Sequence, residues 1–309
     1  MVAHGRQPDR YILPGGEGGA RLEQEAGRVI RLPKACMAAA ALASAAALAA
    51  CGGGGGSSSS PSSPSSPSTP SGPATPSINV CGILAGTAFF PQGIVSGTEC
   101  SPAATPVVKL NLYNKDGLAG GCTGTVISSR AVLTAAHCLA DGITSVRVFL
   151  GTGDQVPSTS IEWHPSYKAT SASSLDVGIV LTGQDLSRTP QAVLTSRDAR
   201  VGEQAVIAGW GNDVTGSGGN TLRAGTTSIS AVGSTTLETT YSGTGSAVCS
   251  GDSGGPLLLS EGGVWAVAGI TSATSIGGSC ALGTSYYANV RNADIRQFIL
   301  GLVPTVGQR

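Results

Sequence analysis

Gly251-Asp252-Ser253-Gly254-Gly255-Pro256 is the stretch on which the reading of this chain turns. It nominates Ser253 as a nucleophile. A serine hydroxyl reacts poorly near neutral pH unless it has a neighbouring base, an acid that orients that base, and hydrogen-bond donors for the oxyanion that forms. Those partners must be found elsewhere in the chain.

A base candidate lies upstream in Thr134-Ala135-Ala136-His137-Cys138. The apolar pairs Val126-Ile127 and Val132-Leu133 read as strand, which sets His137 just past a strand end, on a rigid element. The chain has 3 histidines; His4 lies in the leader, and His164, followed by Pro165, belongs to a turn. Asp176 opens the run Asp176-Val177-Gly178-Ile179-Val180-Leu181. A carboxylate in front of a continuous apolar strand is placed to be partly buried, to accept an imidazole N–H and to fix its tautomer. Taken singly, His137 also reads as a structural histidine and Asp176 as a turn cap. The order His137, Asp176, Ser253 favours the catalytic reading of both.

From Ile94 onward the chain offers short apolar runs between Gly/Ser/Asn turns. Val146-Arg147-Val148-Phe149-Leu150, Ala205-Val206-Ile207-Ala208 and Val264-Trp265-Ala266-Val267-Ala268 are examples, and the pattern is all-β. The tail differs: Asn292 can cap a helix whose Ile295, Phe298, Ile299 and Leu302 share one face. That helix is expected to pack on the nearer, C-terminal half of the domain. Charged residues make up 12% of the chain and the formal net charge is +0, which excludes a nucleic-acid partner read through a basic patch.

The first 93 residues divide into four pieces. Residues 1–28 are polar and Gly-rich, a leader outside any normal export signal, and a start at Val29 leaves a short basic region before the apolar run. Residues 29–50 read as a signal peptide, with Arg31 and Lys34 ahead of a stretch of Ala and Leu that is too short to span a bilayer. Its end, Leu48-Ala49-Ala50-Cys51, resembles the lipobox of bacterial lipoproteins, which implies lipidation of Cys51 and an exported chain held at a membrane by its lipid; the alternative is ordinary secretion after cleavage at Ala50. Residues 51–77, Gly followed by Ser/Pro/Thr repeats, form a disordered tether. Residues 78–93 are a possible propeptide, and 94–309 the folded domain.

Five motifs fall in an order that carries a resemblance: Thr134 to Cys138, His164-Pro165 ahead of Asp176, Gly209-Trp210-Gly211, Gly251 to Pro256, and Ile270-Thr271-Ser272. Between Ile94 and Leu302 the chain resembles the trypsin/chymotrypsin-like serine peptidases. The resemblance implies two six-stranded antiparallel barrels, with His137 and Asp176 from the first and Ser253 from the second. It implies hydrolysis of peptide bonds by a His137, Asp176, Ser253 triad, with the N–H groups of Gly251 and Ser253 as the oxyanion hole. The partner is then a protein or peptide substrate, and the enzyme is expected to act as a monomer without cofactor. Gly151 to Glu162 is too short and too poor in acids for the calcium loop of some relatives, so no structural metal is expected.

Eight cysteines are present. Cys36 leaves with the signal and Cys51 takes the lipid, so six remain, an even number in an exported domain. The resemblance implies Cys122 with Cys138 and Cys249 with Cys280, which leaves Cys81 and Cys100 to pair. A zinc site is disfavoured, because no Cys-x-x-Cys spacing exists. Ile94-Val95-Ser96-Gly97 is similar to the family's activated N-terminus, so cleavage after Gly93 would free an ammonium to pair with Asp252; Ser96 and Gly93 depart from the family pattern. The resemblance places the base of the substrate pocket six residues before Ser253, at Ala247, where trypsin-like members carry aspartate, and Ser272, Thr274 and Ser285 on its walls, which implies small or medium apolar side chains there. The competing reading is a non-catalytic surface adhesin or binding module on the same fold.

Overall fold

A computed structural model describes residues 80–85, 94–153, 155–169, 175–212, 219–275, 280 and 283–309, all within one compact unit, Ser71–Arg309. The expected leader, signal peptide, lipidation site at Cys51 and tether lie outside the described residues. In chain order the elements are α1 (Val80–Ala85), β1 (Thr98–Glu99), β2 (Val107–Asn114), β3 (Gly117–Ser128), β4 (Ala131–Thr134), β5 (Ser145–Phe149), β6 (Gln155–Trp163) and β7 (Gly178–Thr182). There follow β8 (Gln204–Gly209), β9 (Arg223–Val232), β10 (Thr236–Tyr241), β11 (Pro256–Glu261), β12 (Val264–Thr274), β13 (Gly283–Asn289) and α2 (Ala293–Leu302).

Two antiparallel barrels result, as the sequence reading expected. The first closes in the order β2-β3-β4-β7-β6-β5; in the second, β8-β9-β10-β13-β12-β11, pairing of β9 with β8 shuts the ring and β1 adds a short edge to β9. The period-2 rule of strands explains how so small a set of residues fills both cores. Along β8, Ala205 and Ile207 join a core with Ile229, Leu237, Leu257 and Tyr287, whereas Val206 and Ala208 face a second core shared with the first barrel's Val107, Leu133 and Val180. Alternate residues of one strand thus fill one barrel and weld it to the other.

Three disulfides are formed: Cys81–Cys100, Cys122–Cys138 and Cys249–Cys280. Helix α2 begins as expected, with the Asn292 side chain accepting from the amides of Asp294 and Ile295. Its inner face is narrower than the sequence suggested. Ile295 and Ile299 are fully buried, but Leu302 is exposed. Nor does the helix rest on the second barrel alone: the Phe298 ring stacks against His164, 5.4 Å between centroids, at the end of β6 in the first barrel. His164 is therefore a packing residue, and its Nδ1 accepts from the Ser166 amide at 3.1 Å.

Candidate active site

The catalytic candidates come from loops at strand ends, where a rigid frame meets open space. His137 lies in a short turn directly after β4, and Asp176 lies two residues before β7, the partner of β4 in the sheet. That pairing brings the two residues together. Asp176 Oδ1 accepts the His137 amide at 2.9 Å, and Oδ2 lies 2.8 Å from His137 Nδ1, placed for Nδ1–H to donate. Nε2 is then left for the nucleophile. A third donor arrives from the second barrel, the Ser272 hydroxyl at 2.6 Å from Asp176 Oδ2. Ser272, expected on a pocket wall, thus has its hydroxyl committed to the carboxylate; a bulge between Thr271 and Ala273 interrupts the strand register there.

Asp176 is 3% exposed, and burial alone would raise its pKa. The hydrogen bond and charge of His137, the Ser272 hydroxyl and the His137 amide outweigh burial, and the carboxyl is held below its ordinary value. An ionised acid behind the imidazole is what stabilises an imidazolium during proton transfer.

Ser253 sits in the turn before β11. Its backbone carbonyl accepts the Thr123 amide at 2.8 Å, next to the Cys122–Cys138 bridge that also braces the His137 turn. Gly254 has φ +80° and leaves no room for a side chain: a Cβ would stand 2.0 Å from Thr134 Oγ1 and 2.4 Å from the Thr123 carbonyl oxygen. This fit presses the Ser253 turn onto β3 and the end of β4, just ahead of His137. Gly251, at φ +95°, is similarly constrained, since a Cβ would lie 2.9 Å from the Gly211 Cα. Neither the Gly251 nor the Ser253 N–H has an acceptor among the described residues. Two free donors on the nucleophile turn are what an oxyanion hole requires.

Asp252 points the other way, into the second barrel, and is 1% exposed. Its Oδ1 accepts from the Gly211 amide and its Oδ2 from the Cys249 amide, both at 2.8 Å. Burial pushes this carboxyl up to about 6, against the amides of Cys249 and Gly211 and the positive charge of Arg223, which pull it down. Arg223 donates to the Gly211 carbonyl at 3.3 Å. Ile94 and Val95 are buried, and Val95 forms a bridge with Ala247.

Ala247 itself is buried, Thr274 and Ser285 face each other in register across β12 and β13, and Cys249–Cys280 ties the two segments. None of these side chains carries a charge. Cys122, His137 and Cys138 offer atoms within 4.8 Å of one another, but both sulfurs are engaged in the disulfide and are unavailable as thiolate ligands.

The Trypsin family pattern matches residues 94–299. The chain belongs to the trypsin family. It is 31% identical over 193 residues to chymotrypsin of Phaedon cochleariae, covering 54% of this chain and 69% of that protein. It is also 31% identical over 222 residues to chymotrypsin-like elastase family member 1 of Bos taurus, covering 61% and 83%. The solved structure of HL collagenase has the same fold, with TM-score 0.57 at 23% identity over 67% of this chain and 99% of its own. Family membership supports a serine-type endopeptidase, and the disulfides agree with an exported protein. Among the described residues no helix is long and apolar enough to cross a membrane.

One residue of the site carries no motif. Thr123, fully buried, donates its hydroxyl to the Gly251 carbonyl at 2.8 Å, accepts the Trp210 amide at 2.9 Å, and uses its own amide on Ser253. Thr123→Val keeps the shape but leaves a buried N–H and a carbonyl unpaired, each costing about 1–3 kcal/mol. The expected result is lower stability in urea together with a fall in kcat of at least about tenfold, a loosening of 1.4 kcal/mol at the transition state. Thr123→Ser retains both measurements.

Asp252 sets a pH dependence of the uncleaved chain. A carboxyl whose folded pKa lies above its unfolded value contributes stability at low pH that is lost as pH rises from 3.8 through about 6. The loss amounts to about 3 kcal/mol. In urea titrations of the Ser253→Ala chain at pH 4 and pH 7, the additional substitution Asp252→Asn becomes more favourable at the higher pH by roughly that amount. A pH-independent difference between the two chains refutes the assignment.

Proposed function

We propose that this chain is a serine endopeptidase working through His137, Asp176 and Ser253. Ser253 Oγ attacks the acyl carbon, and His137 Nε2 takes the hydroxyl proton and returns it to the leaving amine. Water then enters by the same route to release the acyl group. The observation that carries this reading is the Asp176 carboxylate, which accepts from His137 twice and from Ser272 once. The free N–H groups of Gly251 and Ser253 are the proposed oxyanion donors. With no charge at Ala247, Thr274 or Ser285, the acyl-side pocket takes small or medium apolar residues, in keeping with the likeness to an elastase.

Activation is by cleavage before Ile94. Two observations support it. Ile94 is buried with φ +59°, a conformation that a β-branched residue adopts at a cost on the order of 1–3 kcal/mol. Hydrolysis of the preceding peptide bond abolishes that torsion. Asp252, raised to about 6, lacks a full counter-charge, and a new ammonium on Ile94 supplies one. Cys81–Cys100 then keeps the upstream arm attached, and with a lipid on Cys51 the processed enzyme stays at its membrane. Arg223 favours a second reading, in which it serves Asp252 well enough for the uncleaved chain to be active.

A fluorophosphonate probe tests these statements together. The purified native protein is expected to be labelled, Ser253→Ala to be unlabelled, N-terminal sequencing to read from Ile94, and intact mass to show a second, lipid-blocked chain beginning at Cys51, the two separating on reducing gels only. Failure of the processed, disulfide-bonded protein to label refutes catalysis and leaves the binding-module reading. Labelling of the uncleaved chain at the same rate removes the need for activation.

A further inference from the structure

Beside the oxyanion turn, away from Ala247, lies a cavity of about 260 Å3 lined by Lys109, Cys122, Trp210, Asn212, Ser250 and Gly251. Its position follows from the chemistry proposed for Ser253, and the inference rests on that reading. With the carbonyl oxygen at Gly251 and the acyl side chain at Ala247, the leaving-group half of the substrate runs toward the Cys122 side.

The wall of this cavity includes Gly121, over which the Lys109 stem passes; a Cβ there would meet the Lys109 Cε at 3.5 Å. The Lys109 ammonium donates to the Gly219 carbonyl and, at 2.9 Å, to Asn220 Oδ1. Both acceptors are neutral. An ammonium has three donors, so one remains, and among the described residues no carboxylate lies within ion-pair distance of it. Burial alone lowers its pKa, with no acidic neighbour opposing. A half-buried cation bordering a cavity, fixed by neutral groups and with no carboxylate beside it among the described residues, is built to receive one.

We infer that Lys109 is a specificity-determining residue that binds a carboxylate of the substrate within the first three residues after the scissile bond, either an Asp or Glu side chain or the free C-terminus of a short leaving peptide. Lys109 takes no part in the bond-making steps. It acts on the half of the substrate that departs.

Internally quenched peptides decide this. One series places Asp, Asn or Lys in turn at each of the first three positions after the scissile bond, and another ends there with a free or an amidated C-terminus. Rates are normalised to an acyl nitroanilide, which has no residues on that side. At one position kcat/KM for Asp is expected to exceed that for Asn by about 5–20-fold, diminishing with salt. Lys109→Met brings the Asp-to-Asn ratio to near one, Lys109→Glu inverts it toward Lys, and Lys109→Arg preserves it. If the C-terminal series alone shows the effect, the ligand is the terminal carboxylate. An Asp-to-Asn ratio near one in the parent enzyme with no C-terminal effect overturns the inference, as does a ratio that survives Lys109→Met. A lysine that only holds the Gly219–Asn220 turn would lower every rate together and leave the ratios alone. Loss of nitroanilide hydrolysis in the parent itself would instead sink the peptidase reading.

Discussion

The constraint on which the structure depends is that the groups proposed to react belong to different barrels. A histidine and its acid hang from the first barrel and the serine from the second, yet proton transfer tolerates little error in their separation. Packing of Val206 and Ala208 against the first barrel brings the halves together but does not orient them, because apolar contact is non-directional. Orientation comes from hydrogen bonds that cross the seam. Thr123 spends its amide on Ser253, its hydroxyl on Gly251 and its acceptor lone pair on Trp210, and Ser272 reaches back across to Asp176. These bonds are buried or partly buried, so displacing either barrel leaves polar groups unpaired, and the geometry resists drift.

The site also holds two buried carboxylates that the protein treats in opposite ways. Asp176 is surrounded by donors and kept ionised, ready to stabilise a cation that exists only during turnover. Asp252, one residue from the nucleophile, has two amides and the charge of Arg223, which do not offset its burial. The contrast fits the roles proposed for them: the first acid is held ionised, and the second is incompletely compensated in the turn whose Gly251 and Ser253 amides are the proposed oxyanion donors.

Much of this was legible in the sequence, for a physical reason. Gly251, Gly254 and the serine between them occupy a turn whose positive φ angles and close contacts leave few alternatives, so the constraint is written locally in residue identity. The all-β pattern, the order of the three catalytic candidates and the three cysteine pairs were readable on the same grounds or through the resemblance. Thr123 and Lys109 were not. Their importance lies in what they meet some 90 to 130 residues away, and nothing in a threonine after a cysteine, or a lysine in a strand, announces it. Ser272 was noticed for the pocket, but its bond to Asp176 was not foreseen, since the two residues lie 96 positions apart. The reach of α2 to His164 was missed likewise, because amphipathic periodicity identifies a buried face without naming what buries it.

The distribution of charge around the cleft bears on how such an enzyme selects. An uncharged acyl pocket discriminates by fit, and a methylene more or less in an apolar pocket is worth about 1–3 kcal/mol, so neighbouring side chains are poorly separated. A fixed cation on the leaving-group side adds a criterion of a different kind, one that depends on sign rather than size. Lys109 and Thr123 are register partners on β2 and β3, so the strand pair that positions the oxyanion turn also carries the cation. A substrate that engages Lys109 as proposed therefore bears on the strand pair whose Thr123 bonds Gly251 and Ser253, and recognition of the departing half is mechanically continuous with the backbone proposed to stabilise the charge that forms when Ser253 attacks.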